Sequence, residues 1–543
     1  DVMLNFNYNI NRFDIAATLG WTGRYENMNN MRVSTNGGLV TENWFDLNAS
    51  RYTASSTLQR MELLKTGYMG TLSLGWDNYL FLELTGRQER SSTLKDQSFF
   101  YPSANLSFLF SNAFRMPAWW NHGKLRLSYG IVGNAPETYA ANIIYEQGSD
   151  NGFTWNYVPS SWGNANIRPE KKYEYEIGLE SKFFNNRLGF DVSYYNNRVK
   201  DQILSTPQPS SSGVKYVLMN VGEVANEGWD ISVSATPILT KDFRWDLTAN
   251  YGIYRNKVVK LAEGVPYLEI SNIGGGGAKI QAVEGRPMGD IYVQVPQVNE
   301  NGDYLVSDKG LYLNQTDLQR VGNINPDGVG GLFSSFSYKN IFLDFSIDFR
   351  IGGDVINEMY QYSTASGLTP ESLQYRDTEH GGLSYYYPGN NNASGVPVQI
   401  DPSLGAGPNG EVIYHDGVVL PGVVASTGEK NTRIIPAGYY YNQTYNWGTQ
   451  PEQYTYRHSV FDNTYVKLRE LTIGYQFPEK LISKLGMTRL SVSVFGRNLF
   501  YFYKALKNYD AESSVGTSWA SQAVVGGSTT ATRNFGISLR ASF

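Results

Sequence analysis

The chain has 543 residues, of which 17% are charged, against about 25% in ordinary soluble domains. Its net charge of -5 gives no basic footprint for nucleic acid. The lack of cysteine excludes a disulfide scaffold and a thiolate metal site. No apolar run is long enough for a transmembrane helix. A transmembrane β-barrel has no such run either, because half of each barrel strand faces water. The aromatic content of 14% suits a barrel, whose strands carry aromatic residues near the membrane interfaces.

Alternation of apolar and polar residues recurs along the chain and predicts about fifteen strands. A long polar stretch follows the second strand and is predicted to be a loop that ends near Leu64. The predicted strands are Val2–Tyr8, Arg12–Tyr25, Thr66–Trp76, Tyr79–Glu89, Phe100–Phe110, Lys124–Gly133, Lys171–Phe184, Arg187–Leu204, Val214–Pro237, Phe243–Leu261, the two strands of Gly330–Gly353, Ser459–Phe477, Met487–Tyr503 and Thr532–Phe543.

The hairpin Gly330–Gly353 shows the pattern most clearly. In its second strand, apolar residues occupy every odd position from Ile341 to Ile351, and Asp344, Asp348 and Arg350 point to the opposite face. Transmembrane strands need about 9–11 residues with this alternation. A shift by one residue would put the arginine into lipid at a cost of about 2–4 kcal/mol near the midplane. In a bilayer, the apolar row therefore faces lipid.

The connections between predicted strands alternate between short and long, which favours a membrane barrel over a soluble β-sandwich or propeller. A break in the alternation near Glu470 and Leu471 predicts a β-bulge. The last strand ends on Phe543 and looks like a C-terminal barrel signal. Because bacterial barrels have even strand numbers and the chain begins inside a strand, we expect residues 1–543 to be the C-terminal portion of a longer barrel.

Seven stretches carry a family resemblance beyond this general pattern. They are FFYPSANLSFLFSNAF (99–114), KLRLSYGIVGNAP (124–136), IRPEKKYEYEIGLESKFFNNRLGFDVSYYNNRVKDQIL (167–204), NVGEVANEGWDISVSATPI (220–238), GNINPDGVGGLFSSFSYKNIFLDFSIDFRIGGDVIN (322–357), DNTYVKLRELTIGYQFPEKL (462–481) and FGRNLF (495–500). Together, and in this order, they resemble the SusC/RagA family of TonB-dependent outer-membrane transporters.

The resemblance implies an all-β, antiparallel barrel of about 22 strands in the bacterial outer membrane, closed by an N-terminal plug. The plug, the TonB-contacting segment and the first strands would precede this chain. The implied activity is import of oligosaccharides or peptides, powered through TonB and assisted by a SusD-like surface lipoprotein. No cofactor and no enzymatic activity are implied. Alternatives are a siderophore or cobalamin receptor and a structural or adhesive barrel that transports nothing.

Candidate ligand-contacting residues are of two kinds. Asp344 and Arg350 face inward and could guide a ligand, although such residues also hydrate a lumen or contact a plug. The loop aromatics could stack on sugar rings, although packing between loops or against a cap explains them equally well. These aromatics are Trp155, Trp162, Tyr360 and Tyr362.

Two further motifs are better explained by ordinary loop structure. His415-Asp416 has the residue types of a catalytic dyad, but no constellation of acid, base and nucleophile stands out in the sequence, and an ordinary pair of loop residues explains it better. An outer-membrane hydrolase is therefore the third alternative. The segment Asn299–Asp303 faintly resembles a calcium loop but has Gly310 near the position of the expected glutamate. We predict a turn there, and we predict no metal site.

Overall fold

The computed structural model describes residues 1–95, 98–150, 153–446, 455–527 and 531–543. The chain divides into two compact units. The first comprises residues 1–231 and 256–266, and the second comprises residues 232–255 and 267–543.

Fifteen strands follow one another in chain order in one antiparallel sheet, which confirms the predicted fold class and strand number. We number these sheet strands β1 to β15. They are β1 Val2–Ile10, β2 Phe13–Leu39, β3 Ser50–Trp76, β4 Leu80–Ser91, β5 Ser98–Phe108, β6 Trp120–Asn134, β7 Glu170–Phe183, β8 Leu188–Lys200, β9 Glu223–Leu239, β10 Phe243–Lys260, β11 Gly328–Tyr338, β12 Ile341–Ile351, β13 Tyr465–Gln476, β14 Arg489–Lys504 and β15 Asn534–Ser542.

In the first unit, the predicted loop before Leu64 is wrong. Strands β2 and β3 have 27 residues each and pair from Phe13↔Trp76 to Leu39↔Ser50. A bilayer needs only about 9–11 residues of each strand, so the rest is a two-stranded ribbon that extends the sheet. This ribbon is exposed along most of its length. Because neither face is buried there, its sequence has no reason to alternate, and the strand signal is lost.

Three other predicted strands are divided. The predicted strand Arg187–Leu204 ends as β8 at Lys200, and Ile203 begins a separate short strand. The segment Val214–Pro237 contains the short strand Tyr216–Asn220, and β9 starts only at Glu223. Likewise, Val460–Asp462 is separate from β13, although both lie within the strand predicted at Ser459–Phe477. In the last two of these, a short loop strand pairs outside the main sheet, with Ile203–Pro207 in one case and Asp354–Asn357 in the other.

In the second unit, β11 and β12 pair from Gly328↔Ile351 to Tyr338↔Ile341 and confirm the predicted hairpin. The predicted bulge is also confirmed, one residue earlier than expected. Leu468 and Glu470 of β13 pair with the consecutive residues Ile347 and Ser346 of β12, so Arg469 is the extra residue. The bulge changes which face each following residue occupies, and this explains the broken alternation.

The hydrophobic core of the second unit lies in its insertions. We call residues 267–327, 352–446, 455–464 and 505–527 the insertion region. Its largest buried cluster includes Ile280, Ile291 and Val293, all with 0% exposure, together with Ile356 and Val524 from two other connections. The insertion region is therefore a folded assembly held by its own apolar core.

The remaining elements lie in the connections. The short strands are Glu146–Asp150, Phe153–Tyr157, Ser161–Trp162, Ile203–Pro207, Tyr216–Asn220, Tyr267–Ile273, Ala278–Val283, Asp290–Val293, Leu305–Val306, Gln319–Asn323, Asp354–Asn357, Leu383–Tyr386, Val398–Gln399, Ile413–Val418, Val423–Val424, Ile435–Pro436, Val460–Asp462 and Val524–Val525. The α-helices are Phe110–Ala113, Glu358–Ala365, Ala437–Tyr445 and Glu479–Ile482. None of the helices in the described ranges is both long and apolar enough to cross a membrane.

Candidate functional site

The polar face of β11–β15 forms one wall of a cavity of about 500 Å³. Asp344 lies in this wall and accepts a hydrogen bond of 2.6 Å from the Ser335 hydroxyl. The other charged residues that line the cavity are Glu470, Arg489 and Arg540. This face therefore offers both donors and acceptors to a polar partner, and a role of Asp344 in ligand binding stays a prediction.

Arg350 is on the same strand but has a different role. Its guanidinium donates to the carbonyl oxygens of Ile324, at 3.0 Å, and Gly352, at 3.2 Å. Six residues separate it from Asp344, or about 20 Å of strand. Two of the five guanidinium donors are thus used to hold the adjoining turn, so Arg350 primarily anchors the backbone.

The two predicted tyrosines lie on the helix Glu358–Ala365 of the insertion region. The Tyr360 ring packs edge-on against Phe461, with 5.0 Å between ring centroids, and against Tyr445 at 6.2 Å. This burial raises the pKa of the Tyr360 phenol. Tyr362 is 42% exposed. Residues two apart on a helix do not share a face, so the two rings do not form one stacking platform.

The two predicted tryptophans belong to the first unit. Trp155 is in the strand Phe153–Tyr157, is 48% exposed and covers Gly148, where a Cβ would come within 2.7 Å of the indole. Trp162 packs edge-on against Tyr145, at 5.8 Å. Each ring has a local packing partner, which leaves the exposed face of Trp155 as the better stacking surface.

A charged cluster around the bulge was missed by sequence analysis. The Arg469 side chain donates from Nε to Asp348 at 2.6 Å, and from Nη1 to Asn498 at 2.9 Å and Glu512 at 3.0 Å. Lys467, which is only 2% exposed, forms an ion pair with the same glutamate. The available signal was the phase break, because a bulge redirects a side chain. The partner carboxylate, 43 residues away from Arg469, could not have been identified.

His415 and Asp416 face different partners. The Nδ1 atom of His415 lies 2.8 Å from the Ser384 hydroxyl, and Asp416 accepts a hydrogen bond of 3.1 Å from Tyr385. Both residues line a second cavity of about 500 Å³ in the insertion region, together with Arg376. In a catalytic triad the carboxylate orients the histidine, whereas this carboxylate binds a phenol instead.

The segment Asn299–Asp303 is a turn, as predicted. The Asn299 side chain accepts hydrogen bonds of 2.9 Å from the backbone of Asn301 and Asp303, and Val298 pairs with Tyr304 across it. Gly302 adopts φ +88°, which explains the glycine. Over the part of the chain that the structure describes, no group of three or more His, Asp or Glu side chains could hold a metal ion.

The family model for the TonB-dependent receptor-like β-barrel matches residues 2–291, more than half of the chain. The chain belongs to this family. The protein, which we call the receptor barrel from here on, is therefore an outer-membrane protein, as predicted. The family consists of transport receptors and not of enzymes, so its membership also confirms the prediction that the chain is not an enzyme.

Relatives and solved structures confirm the predicted SusC/RagA resemblance. TonB-dependent receptor P3 of Formosa agariphila is 24% identical over 82% of this chain and 42% of its own length. TonB-dependent receptor SusC of Bacteroides thetaiotaomicron is 27% identical over 41% of this chain and 24% of its own length. The receptor barrel thus spans less than half of either relative.

Among solved structures, the RagAB peptide transporter superposes with a TM-score of 0.71 at 17% identity. The match covers 98% of this chain and 54% of the RagAB chain. An open form, the RagAB peptide importer in the "open-open" state, gives a TM-score of 0.70. At this identity the likeness shows a shared fold.

Proposed function

We propose that this receptor imports oligosaccharides or peptides across the outer membrane, together with a SusD-like surface lipoprotein and with energy supplied through TonB. The 27% identity to SusC is the observation that carries this proposal. The RagAB fold match supports it independently, since that structure is a peptide transporter. A full-length receptor would add an N-terminal plug and the first strands of a barrel of about 22 strands.

The arrangement of the second unit suits import of a polar ligand. The polar face of β11–β15 bears carboxylates and guanidiniums around a cavity of about 500 Å³. The insertion region contributes exposed aromatic and polar groups, including Tyr362 and Arg376. A hydroxyl-rich or amide-rich ligand can exchange water for such hydrogen-bonding groups at little net cost.

The decisive experiment is purification of the native receptor from outer membranes, with mass spectrometry of everything that remains bound. We expect a SusD-like lipoprotein and a co-purifying glycan or peptide. A receptor without any lipoprotein would reject the paired-transporter proposal. Uptake of the identified ligand should then disappear when the receptor gene is deleted and should return on complementation.

A further inference from the structure

The polar face of the second unit carries two cations close together on β13. Lys467 is 2% exposed, and Arg469 is turned onto this face by the bulge. The strands supply one carboxylate to this pair, Asp348, which accepts from Arg469 at 2.6 Å. A third cation, Lys504 of β14, lies over the same Tyr501 ring as Lys467, at 5.1 Å from its centroid. Three positive charges on the strands thus face one strand carboxylate. A buried cation without a counter-ion is costly, so the cluster requires further negative groups.

Residues 505–515, which we call the strap, supply two carboxylates. Asp510 accepts a hydrogen bond from the Tyr501 hydroxyl. Glu512 forms ion pairs with both Lys467 and Arg469, and it accepts a further hydrogen bond of 3.4 Å from the Tyr465 hydroxyl. The strap is fixed at both ends: Leu506 is buried in an apolar cluster, and the backbone N–H of Val515 donates to Val524. Between these ends, charged and polar contacts hold the strap to the strands.

Departure of Glu512 would leave neither cation isolated. Arg469 would keep Asp348 and Asn498, and the Lys467 ammonium would keep the face of the Tyr501 ring, 4.8 Å from its centroid. Removing one member of an ordinary buried pair costs several kcal/mol, because the other charge is stranded. Here the remaining contacts reduce that cost, so the contact with Glu512 can be exchanged for a similar one.

We propose that Lys467 and Arg469 form a binding site for a carboxylate group of the ligand, and that Glu512 is an internal carboxylate that fills this site until the ligand displaces it. This inference builds on the proposed import function, because it names the ligand chemistry recognised on the polar face. Displacement removes both ion pairs of Glu512 and loosens the strap, which stays tethered by the hydrogen bonds from Tyr501 to Asp510 and from Lys504 to the Tyr509 carbonyl oxygen. The strap therefore links recognition of the carboxylate to a local change in the insertion region.

A carboxylate fits this site better than a neutral hydroxyl group does. The planar guanidinium presents parallel N–H donors that match two carboxylate oxygens, and the ammonium adds a point charge. Arg469 already binds Glu512 through two nitrogens. The carboxylate could belong to an acidic sugar or to the C-terminus of a peptide, and the two sources are separated by experiment.

The test is hydrogen–deuterium exchange of the native receptor, with methyl glucuronide and trialanine as probes. Methyl glucoside and trialanine amide are matched controls that lack the carboxylate. We expect the charged probes to accelerate exchange in residues 505–515 and the neutral probes to leave it unchanged. A response to one charged probe alone identifies the source of the carboxylate. Equal responses to charged and neutral probes, or no response to either charged probe, would overturn the proposal.

Two variants test the site without any probe. Glu512→Gln removes the charge but not the volume, and strap exchange should become at least about tenfold faster, the factor that corresponds to 1.4 kcal/mol. Lys467→Met should act in the same direction but less, because Arg469 still holds Glu512. The exposed control Glu300→Gln should change nothing. If Glu512→Gln leaves strap exchange at the native rate, the strap is not held by this contact.

The outcomes for this site and for import are distinguishable. The exchange measurements need no transport, so a receptor that responds to carboxylates but imports nothing would support the site and reject the import function. A receptor that imports its ligand but shows no change in strap exchange with either charged probe would support the import function and reject the carboxylate site.

Discussion

The sheet strands and the insertion region of the second unit place their apolar residues in opposite ways. On β12, Ile341 is 51% exposed and Ile351 is 42% exposed, because this face contacts lipid in a membrane. In the insertion region, Ile280 and Ile291 pair across two neighbouring strands and are completely buried in one apolar cluster. The strands therefore depend on the bilayer for the burial of apolar surface, whereas the insertion region buries apolar side chains in its own core.

Truncation of the insertion core should have the largest effect. Ile291→Ala removes a fully buried side chain, and such changes cost about 2–5 kcal/mol. We expect faster hydrogen exchange in residues 278–293 and unchanged exchange in β12 and β13. The control Ile341→Ala, on the lipid face, should leave the insertion region intact. An equal increase in hydrogen exchange in the strands and in the insertion region would show that the two regions unfold together, and would contradict the proposal that the insertion region has a core of its own.

A charge on the lipid face should damage the strands selectively. Ile347→Arg places a guanidinium near the middle of β12, at a cost of about 2–4 kcal/mol. The neighbouring Ser346→Arg points to the polar face and is the matched control. Heat-modifiable migration on gels reports the folded barrel, and we expect its loss for Ile347→Arg alone. A normal barrel in both variants would contradict the assigned lipid face.

Removal of the bulge arginine should weaken the link between the two regions. Arg469→Ala loses charge-assisted hydrogen bonds to Asp348 and Glu512, each worth about 1.5–3 kcal/mol. The strand pairing should persist, because Leu468 and Glu470 keep their partners on β12. Exchange should rise in the strap and not in β12. The exposed ion pair of Arg12 with Asp77 provides a control, since Arg12→Ala should change stability by less than about 1 kcal/mol.

Acid should loosen one loop of the insertion region and not the strands. The buried Glu411 carboxylate accepts hydrogen bonds from the backbone N–H groups of Asn409, at 2.8 Å, and Gly389, at 3.2 Å. These bonds lower the pKa of Glu411 from 4.5 to about 2. A lowered pKa stabilises the fold above pH 4.5, and this contribution disappears as the pH falls towards 2.

Pepsin digestion between pH 4.5 and pH 2 measures this effect. Cleavage in residues 389–411 should increase as the pH falls, and the increase should be absent in Glu411→Gln, whose loop is already weakened at every pH. The same pH-dependent cleavage in Glu411→Gln would mean that another group titrates in its place.

Sequence alone located the sheet strands, although β9 and β13 begin later than predicted. The bilayer imposes alternation on β12 over its whole length, and the loss of phase near Glu470 correctly predicted a bulge within one residue. The insertion core could not be predicted, because it combines short segments that are far apart in sequence. Ile280, Ile356 and Val524 come from three different connections, and strands of 2–7 residues carry too few residues for a periodic signal.

The candidate site was predictable only in part. The alternation placed Asp344 on the polar face, where it lines a cavity. The hydrogen bonds of Arg350 to carbonyl oxygens could not be predicted, because no sequence pattern indicates them. Lys467 and Arg469 lie in a stretch already singled out for its irregular phase. Their significance depends on Glu512, and pairing across 45 residues between Lys467 and Glu512 is a property of the folded chain.

The exposed ribbon of β2 and β3 has a consequence for how this protein can change in evolution. Where one face of a sheet is buried, a shift of the strand register by one residue moves every side chain to the opposite face, so selection removes such changes. Beyond the membrane both faces of this ribbon meet water, and its pairing already becomes irregular between Ser34 and Leu39. Insertions and deletions there carry almost no burial penalty, so this ribbon should vary in length between closely related receptors while the membrane-spanning register stays fixed.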